Sequence, residues 1–202
     1  DRSVCVVQTC ALPISVTADG RTAISGSFDS AAILWSIETG AALQVLRFHD
    51  GAVNAVAALP DGRFATAGED GRIALWRRGQ PDPVRVIEGH GGPIAALAVS
   101  PDGERIASAS WDGTARVTPL TAGEAEVVTG HKGPLNAVAF TPDGASLVTA
   151  GHDQTLRITP LGGGVARAVD VGVPVNALVV APAGGIAAAG ADGRVHQVSA
   201  DG

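Results

Sequence analysis

Short apolar runs separated by turn residues recur along almost the entire chain. Between residues 53 and 87, apolar or alternating runs occupy 53–59, 64–67, 72–76 and 84–87. The first two runs are joined by Pro60-Asp61-Gly62, in which Pro presets one backbone dihedral and Gly supplies the left-handed one. Runs of this length, bounded by such turns, are typical of β-strands. The pattern therefore predicts a unit of four short antiparallel strands.

The same unit is repeated along the chain. His49, His90 and His131 precede the first run of successive units and are 41 residues apart. An aspartate closes the second run of each unit, at Asp29, Asp70, Asp112, Asp153 and Asp192. A fixed period in this range indicates an array of one supersecondary unit. We therefore expect an all-β array in which neighbouring units bury a shared core.

These units resemble the WD-repeat β-propeller family. The resemblance rests on the period, on Gly-His before the first strand, as at Gly89-His90, and on the spacing from Asp70 to Trp76. It implies an all-β propeller of four-stranded antiparallel blades over residues 15–202. About four and a half blades are expected, of a ring that in this family most often has seven. The predicted blades span about 14–47, 53–87, 94–129, 135–171 and 175–200.

The first fourteen residues have a different character. The string from Val7 to Ile14 matches a translated sequencing adapter, and the chain contains no Met. We interpret residues 1–14 as such an artefact ahead of a truncated reading frame; the alternative is a divergent first strand. Both cysteines, Cys5 and Cys10, lie in or beside this string. They are left out of the functional prediction, and a cytoplasmic or a periplasmic location stays undecided.

Composition and charge narrow the classes of partner. The net charge is −6 and no basic cluster exceeds Arg77-Arg78, which argues against nucleic acid as a partner. No apolar run approaches the roughly 18 residues of a membrane span. Lys132 is the only lysine against thirteen arginines, a bias that indicates a GC-rich, bacterial genome. No cofactor motif is present, so no cofactor is expected.

The resemblance assigns the repeated polar residues to a structural hydrogen-bond network inside each blade. In that family the turn Asp accepts from the imidazole, and a hydroxyl bridges the imidazole to an indole N–H. The matching residues are Ser25, Asp29, Trp35, His49, Thr66, Asp70, Trp76, His90, Ser108, Asp112, His131, Thr149 and Asp153. His, Asp and Ser or Thr also compose catalytic triads. An active site occurs once, whereas this set recurs, so we expect it to be structural and no residue to be catalytic.

The resemblance also indicates which face binds a partner. That face carries the loops before the first strand and between the second and third strands. The residue before each turn Asp is expected to point outward there, at Phe28, Glu69, Trp111 and His152. Asn54, Asn136 and Asn176 follow the start of the first strand and are expected near the channel mouth. Trp111 is the strongest candidate, because an exposed aromatic is a typical interface anchor.

Three functions fit the sequence. The first is a non-catalytic scaffold that binds a protein or peptide, the commonest role in the resembled family. The alternative is a sensor or regulatory propeller fused to a c-type cytochrome or a kinase. The third is a propeller hydrolase with a metal in its channel. Asn54, Asn136 and Asn176 could contribute ligands to that metal, but no Asp or Glu joins them on those strands. The hydrolase is therefore ranked last.

Overall fold

The computed structural model describes residues 13–199, which form nineteen strands and no helix. The interpretation of residues 1–14 falls almost wholly outside this range. The first sheet contains β1 (Ile14–Val16), β2 (Thr22–Gly26), β3 (Ala31–Ser36) and β4 (Ala42–Arg47). The second contains β5 (Val53–Ala58), β6 (Arg63–Gly68), β7 (Ile73–Arg77) and β8 (Arg85–Ile87).

The remaining strands repeat this arrangement. The third sheet contains β9 (Ile94–Val99), β10 (Arg105–Ser110), β11 (Ala115–Pro119) and β12 (Glu126–Val128). The fourth contains β13 (Leu135–Phe140), β14 (Ser146–Gly151), β15 (Thr155–Pro160) and β16 (Arg167–Asp170). The fifth contains β17 (Val175–Val180), β18 (Ile186–Gly190) and β19 (Val195–Val198). Every sheet is antiparallel, with its strands in chain order. The predicted fold class is confirmed.

Each sheet packs face to face on the next, and the core lies between them. Ala65, Ala67 and Leu75 of the second sheet form one cluster with Ile94 and Ile106 of the third. Such side chains alternate with others on the opposite face of the same strands. A sheet covered on both faces needs apolar residues at nearly every position, which explains the continuous runs in the sequence.

Side chains also tie neighbouring sheets together outside the core. Gln44 in β4 donates to the Gln80 carbonyl (2.6 Å) and accepts from the Gly79 N–H (2.8 Å), both in the loop after β7. Arg85 in β8 donates to the carbonyls of Pro119 and Thr121. These bonds fix the relative position of adjacent sheets, and so position the loops at their ends.

The first strand of a sheet carries a β-bulge at a repeated position. In β5 the register shifts between Val53 and Ala55, which leaves Asn54 without a partner in the ladder. The same shift occurs around Asn136 in β13 and Asn176 in β17. A bulge bends the strand and redirects the side chain of the extra residue. The asparagines therefore occupy geometrically equivalent sites.

Candidate functional site

The second sheet contains a chain of four hydrogen-bonded side chains. His49 lies in the loop before β5, and its Nδ1 is 2.9 Å from Asp70 Oδ2. The Nε2 atom is 2.8 Å from Thr66 Oγ1 on β6, and Trp76 Nε1 on β7 donates to the same hydroxyl at 2.9 Å. Nδ1–H therefore donates to the carboxylate, and the Thr66 hydroxyl donates to Nε2. Asp70 also accepts from two backbone N–H groups of the loops.

The third and fourth sheets repeat the imidazole part of this chain. His90 lies 2.9 Å from Asp112 and 2.8 Å from Ser108. In the fourth sheet, His131 makes the matching contacts at 2.9 Å to both Asp153 and Thr149. In each case the aspartate also accepts a backbone N–H from the residue after the histidine. The network thus fastens the loop before the first strand to the turn between the second and third.

Arginine side chains lie beside the network in these two sheets, where the tryptophan is replaced by Thr118 and Thr159. Arg116 and Arg157 occur two residues earlier on the same strands. The Arg116 guanidinium packs against Gly89, in the loop before the first strand of the third sheet. A Cβ atom at position 89 would lie only 2.7 Å from Arg116 Nη1. Arg157 packs against Gly130 in the same way. Both Nε atoms and the Thr159 hydroxyl are buried without a hydrogen-bond partner. Sequence analysis missed both arginines.

The first and fifth sheets hold reduced versions of the network. In the first, Trp35 Nε1 donates to Ser25 Oγ at 2.9 Å, and Asp29 accepts the Ala31 N–H. In the fifth, Asp192 accepts the Arg194 N–H, and its carboxylate lies 3.2 Å from His196 Nε2. That histidine comes from β19, opposite Ala188, and not from the loop before the first strand. Asp192 and His196 were not among the network residues expected from the sequence.

In the third and fourth sheets, burial within the network favours the neutral form of His90 and His131. Burial disfavours the protonated imidazole and lowers the pKa of His90 and His131; it outweighs the bond to the carboxylate, which raises that pKa. The guanidinium of Arg116 or Arg157 lowers it further. Burial raises the pKa of Asp112 and Asp153. The hydrogen bonds that these carboxylates accept outweigh this and lower it from 3.8 to about 2. The pairs are therefore neutral imidazole and carboxylate at pH 7.

The residues predicted to face a partner divide into free and engaged side chains. Phe28 is 59% exposed and Trp111 is 51% exposed, and His152 is exposed as well. By contrast, the Glu69 carboxylate accepts the Ala52 N–H at 3.2 Å. The structure thus brings the aromatic side chains to the surface at one end of the sheets, where the networks fix the surrounding loops.

Trp111 borders a recess between the third and fourth sheets. The recess has a volume of about 410 Å³ and is lined by Trp111, Thr114, Thr129, Lys132 and Pro134 among others. Its floor is held by the His131 loop, because Lys132 N–H donates to Asp153. Aromatic, hydroxyl and cationic groups therefore converge on a shallow, rigid site.

The asparagines of the first strands differ in what they contact. Asn136 Nδ2 donates to the Val175 carbonyl of the next sheet at 3.0 Å. Asn54 is partly buried and Asn176 is exposed. The described residues contain no group of three or more His, Cys, Asp or Glu side chains that could hold a metal. Over 13–199, no helix has the length and apolar character of a membrane span.

Comparison with known proteins identifies the repeat. The family model described as "WD domain, G-beta repeat" matches residues 40–77, 81–118 and 124–159. Each match contains the last strand of one sheet and the first three strands of the next. The methylosome protein WDR77 of Xenopus laevis is 41% identical over 73 residues, which are 35% of this chain and 22% of the relative. The match thus spans about a fifth of that curated relative.

Proposed function

The chain belongs to the WD-repeat family, and on this basis we propose that it is a non-catalytic scaffold for a protein or peptide partner. The observation that carries the proposal is that polar and aromatic side chains differ in their contacts at one end of the sheets. The His, Asp and hydroxyl side chains are bonded to one another, whereas Phe28 and Trp111 are left exposed. By its name, the similar Xenopus laevis protein belongs to the methylosome.

The network geometry argues against nucleophilic catalysis. A Ser or Thr nucleophile must reach substrate while the imidazole takes its proton. Thr66 and Thr149 are completely buried, and Ser108 nearly so. The Thr66 hydroxyl already donates to His49 and accepts from Trp76. The same arrangement recurs at a fixed period, which is expected of a packing device and not of an active site.

The proposed contact surface is the loop face around Trp111. Large exposed aromatics on a rigid scaffold mark interaction sites, and tryptophan is enriched among residues that dominate binding energy. Here the rigidity comes from the His90–Asp112 and His131–Asp153 pairs, which border the recess on both sides. A partner side chain that enters the recess would stack on Trp111 without reordering the loops.

A photo-cross-linking amino acid at position 132, which lines the recess beside Trp111, tests the proposal. We expect it to capture a partner that the same amino acid at position 165 does not. Val165 is 93% exposed and lies in the loop between the third and fourth strands, at the opposite end of the sheet. Binding of the purified partner is then measured by calorimetry. Trp111→Ala should weaken it about thirtyfold, the effect of a side chain that contributes about 2 kcal/mol. Val165→Ala should leave it unchanged.

Two results would contradict the proposal. One is a partner that binds Trp111→Ala and the unsubstituted protein equally well. The other is a Trp111→Ala protein that melts several degrees earlier, since the indole would then pack within the fold and not bind a partner.

A further inference from the structure

The guanidiniums of Arg116 and Arg157 have unused hydrogen-bond donors. Within residues 13–199 neither guanidinium forms an ion pair or a hydrogen bond, and the Nε atom of each is buried. Arg85, by contrast, donates to two carbonyls of the next sheet. A partly buried cation without an acceptor is costly, and an anion that reaches it removes part of this cost. Both arginines are therefore candidates for binding an anion.

Arg157 lies directly behind one wall of the Trp111 recess. Gly130 forms part of that wall, and a Cβ atom at position 130 would lie 2.7 Å from Arg157 Nη2 and 2.8 Å from Cζ. Only bare backbone thus separates the guanidinium from the recess at this point. Lys132 lies in the same wall with an exposed side chain. Two cations, one planar and one flexible, are therefore close to a group that stacks on Trp111.

The matching position between the second and third sheets has a different charge distribution. Counted from the network residues, the counterparts there are Glu69 for Trp111, Arg72 for Thr114, Glu88 for Thr129 and Gly91 for Lys132. Arg72 Nε lies 3.1 Å from Glu88 Oε1, so at this boundary the chain supplies its own carboxylate to a cation. In the Trp111 recess the glutamate is replaced by Thr129. A carboxylate there has to come from another molecule.

The carboxylate of Asp112 also lines this recess, and it limits which anion fits. Asp112 accepts from His90, from the Gly91 N–H, and from the N–H and hydroxyl of Thr114. Its lone pairs are therefore engaged, but its negative charge persists at pH 7. Repulsion by this charge grows with the charge of the ligand. A monoanion is favoured over a dianion such as phosphate.

We propose that the Trp111 recess binds the carboxylate of an Asp or Glu side chain in an acidic peptide. Lys132 and Arg157 hold the carboxylate, and the adjoining part of the peptide packs on Trp111. The planar guanidinium suits a carboxylate, which has the matching fork of acceptors. This inference rests on the proposed scaffold function and names the chemistry of its partner. Because the net charge of the chain is −6, general attraction does not bring an acidic peptide to it.

Nuclear magnetic resonance with a simple acidic probe tests the proposal. Blocked tetraglutamate is titrated into the ¹⁵N-labelled 202-residue chain at low salt, and blocked tetraglutamine is the neutral control. We expect tetraglutamate to shift the Trp111 indole resonance and the Gly130 and Lys132 amides in a saturable way. The indoles of Trp35 and Trp76 should not move. Added salt should weaken the binding, because it screens exposed charges.

Three glutamine variants identify the cations that hold the carboxylate. Arg157→Gln and Lys132→Gln should each weaken tetraglutamate binding about fivefold, the effect of a partly exposed ion pair. Arg78→Gln removes the same charge from an exposed loop residue at the opposite end of the second sheet and should leave binding unchanged. Melting establishes that the variants are folded. Lys132 is exposed, so its variant keeps the test valid if Arg157→Gln does not fold.

Three results would overturn the inference. The first is equal binding of tetraglutamate and tetraglutamine, and the second is undiminished binding in both Arg157→Gln and Lys132→Gln. The third is a blocked phosphoserine peptide that binds where tetraglutamate does not, since the site would then require a dianion. A partner captured beside Trp111 and weakened by Trp111→Ala, in a chain that does not bind tetraglutamate, would overturn the acidic anchor alone. The proposed scaffold function would stand in that case.

Discussion

The Asp70 carboxylate accepts hydrogen bonds from several groups of the second sheet at once. It accepts from His49 and from two loop N–H groups, and its side chain is almost completely buried. Asp192 at the matching position of the fifth sheet is more exposed and accepts from Arg194 and from His196. Removal of a buried acceptor leaves its donors unpaired, which costs more than the loss of a solvated hydrogen bond.

Asp70→Ala should therefore destabilise the protein more than Asp192→Ala. We expect a loss of about 1–3 kcal/mol in the free energy of unfolding for Asp70→Ala, because His49 and the loop amides lose their acceptor. The loss for Asp192→Ala should be smaller, because water can replace the carboxylate there. Urea unfolding of both variants measures the difference. Equal urea midpoints of the two variants would show that the bond between His49 and Asp70 adds no stability to that of the turn itself.

The neutral histidines predict a stability that depends on pH. His90 and His131 have a lowered pKa in the folded protein, so the unfolded chain binds more protons below about pH 6.5. Their contribution is therefore complete above about pH 6.5 and is lost as the pH falls from there through the lower pKa of the folded protein. A second loss should follow between about pH 3.8 and 2. In this range Asp112 and Asp153 are protonated in the unfolded chain but still charged in the folded protein.

Urea unfolding between pH 8 and pH 5 checks the first of these losses. The variant with His90→Gln and His131→Gln removes both imidazoles and should show a flatter profile over this range. An unsubstituted protein that gains stability as the pH falls from 7 to 5.5 would contradict the assignment.

The turns between second and third strands differ in backbone strain. Gly71, Gly113 and Gly193 adopt positive φ at one turn position, and Ser30 and Gln154 adopt φ of 68° and 65° at the same position. A non-Gly residue in this conformation costs about 1–2 kcal/mol, whereas Gly adopts it freely. The Gln154 carbonyl accepts the Val171 N–H, a bond that glycine preserves.

Gln154→Gly should therefore raise the free energy of unfolding by about 0.5–1 kcal/mol, after the entropic cost of glycine is subtracted. Gln154→Ala is the matched control, since it removes the same side chain and keeps the strained dihedral. Thermal and urea unfolding compare the two. If alanine stabilises as much as glycine, the effect belongs to the side chain and not to the turn.

The third sheet has an arginine and a threonine where the second sheet has an alanine and a tryptophan, and the effect of this difference on stability can be tested. Arg116 lies beside the network where the second sheet has Ala74, and Thr118 stands where it has Trp76. The double variant Arg116→Ala/Thr118→Trp copies the second sheet. Its indole should donate to Ser108 and bury apolar surface, so it should be about 1–2 kcal/mol more stable than Arg116→Ala alone. A double variant that is less stable than the single one would show that the third sheet lacks room for the indole.

The strands and the networks could be predicted because each depends on local spacing. The period fixed the five units, and the turn aspartates identified residues that the structure joins at about 3 Å. Arg116, Arg157 and His196 were missed because their roles depend on cross-strand register. His196 reaches Asp192 only because β19 pairs with β18 opposite Ala188. The bulge at Asn136, and its bond to the next sheet, is equally invisible in one sequence. A bacterial origin stays a prediction.

Because each sheet contacts only its neighbours, stability should vary along the array. The inner sheets are covered on both faces: Ile94, Ile106 and Leu135 are almost completely buried. The fifth sheet has three strands and one open face, with Val195 exposed. Regions with few buried contacts open at a lower free energy than the core.

Amide hydrogen exchange should therefore be fastest in β17–β19 and slowest in the second and third sheets. The measurement is made on the 202-residue chain at low protein concentration. Residues 195–198 should exchange at least tenfold faster than residues 105–110, which lie between two covered faces. Uniform protection from β1 to β19 would mean that the five sheets unfold as one cooperative unit, and nearest-neighbour packing would not explain their stability.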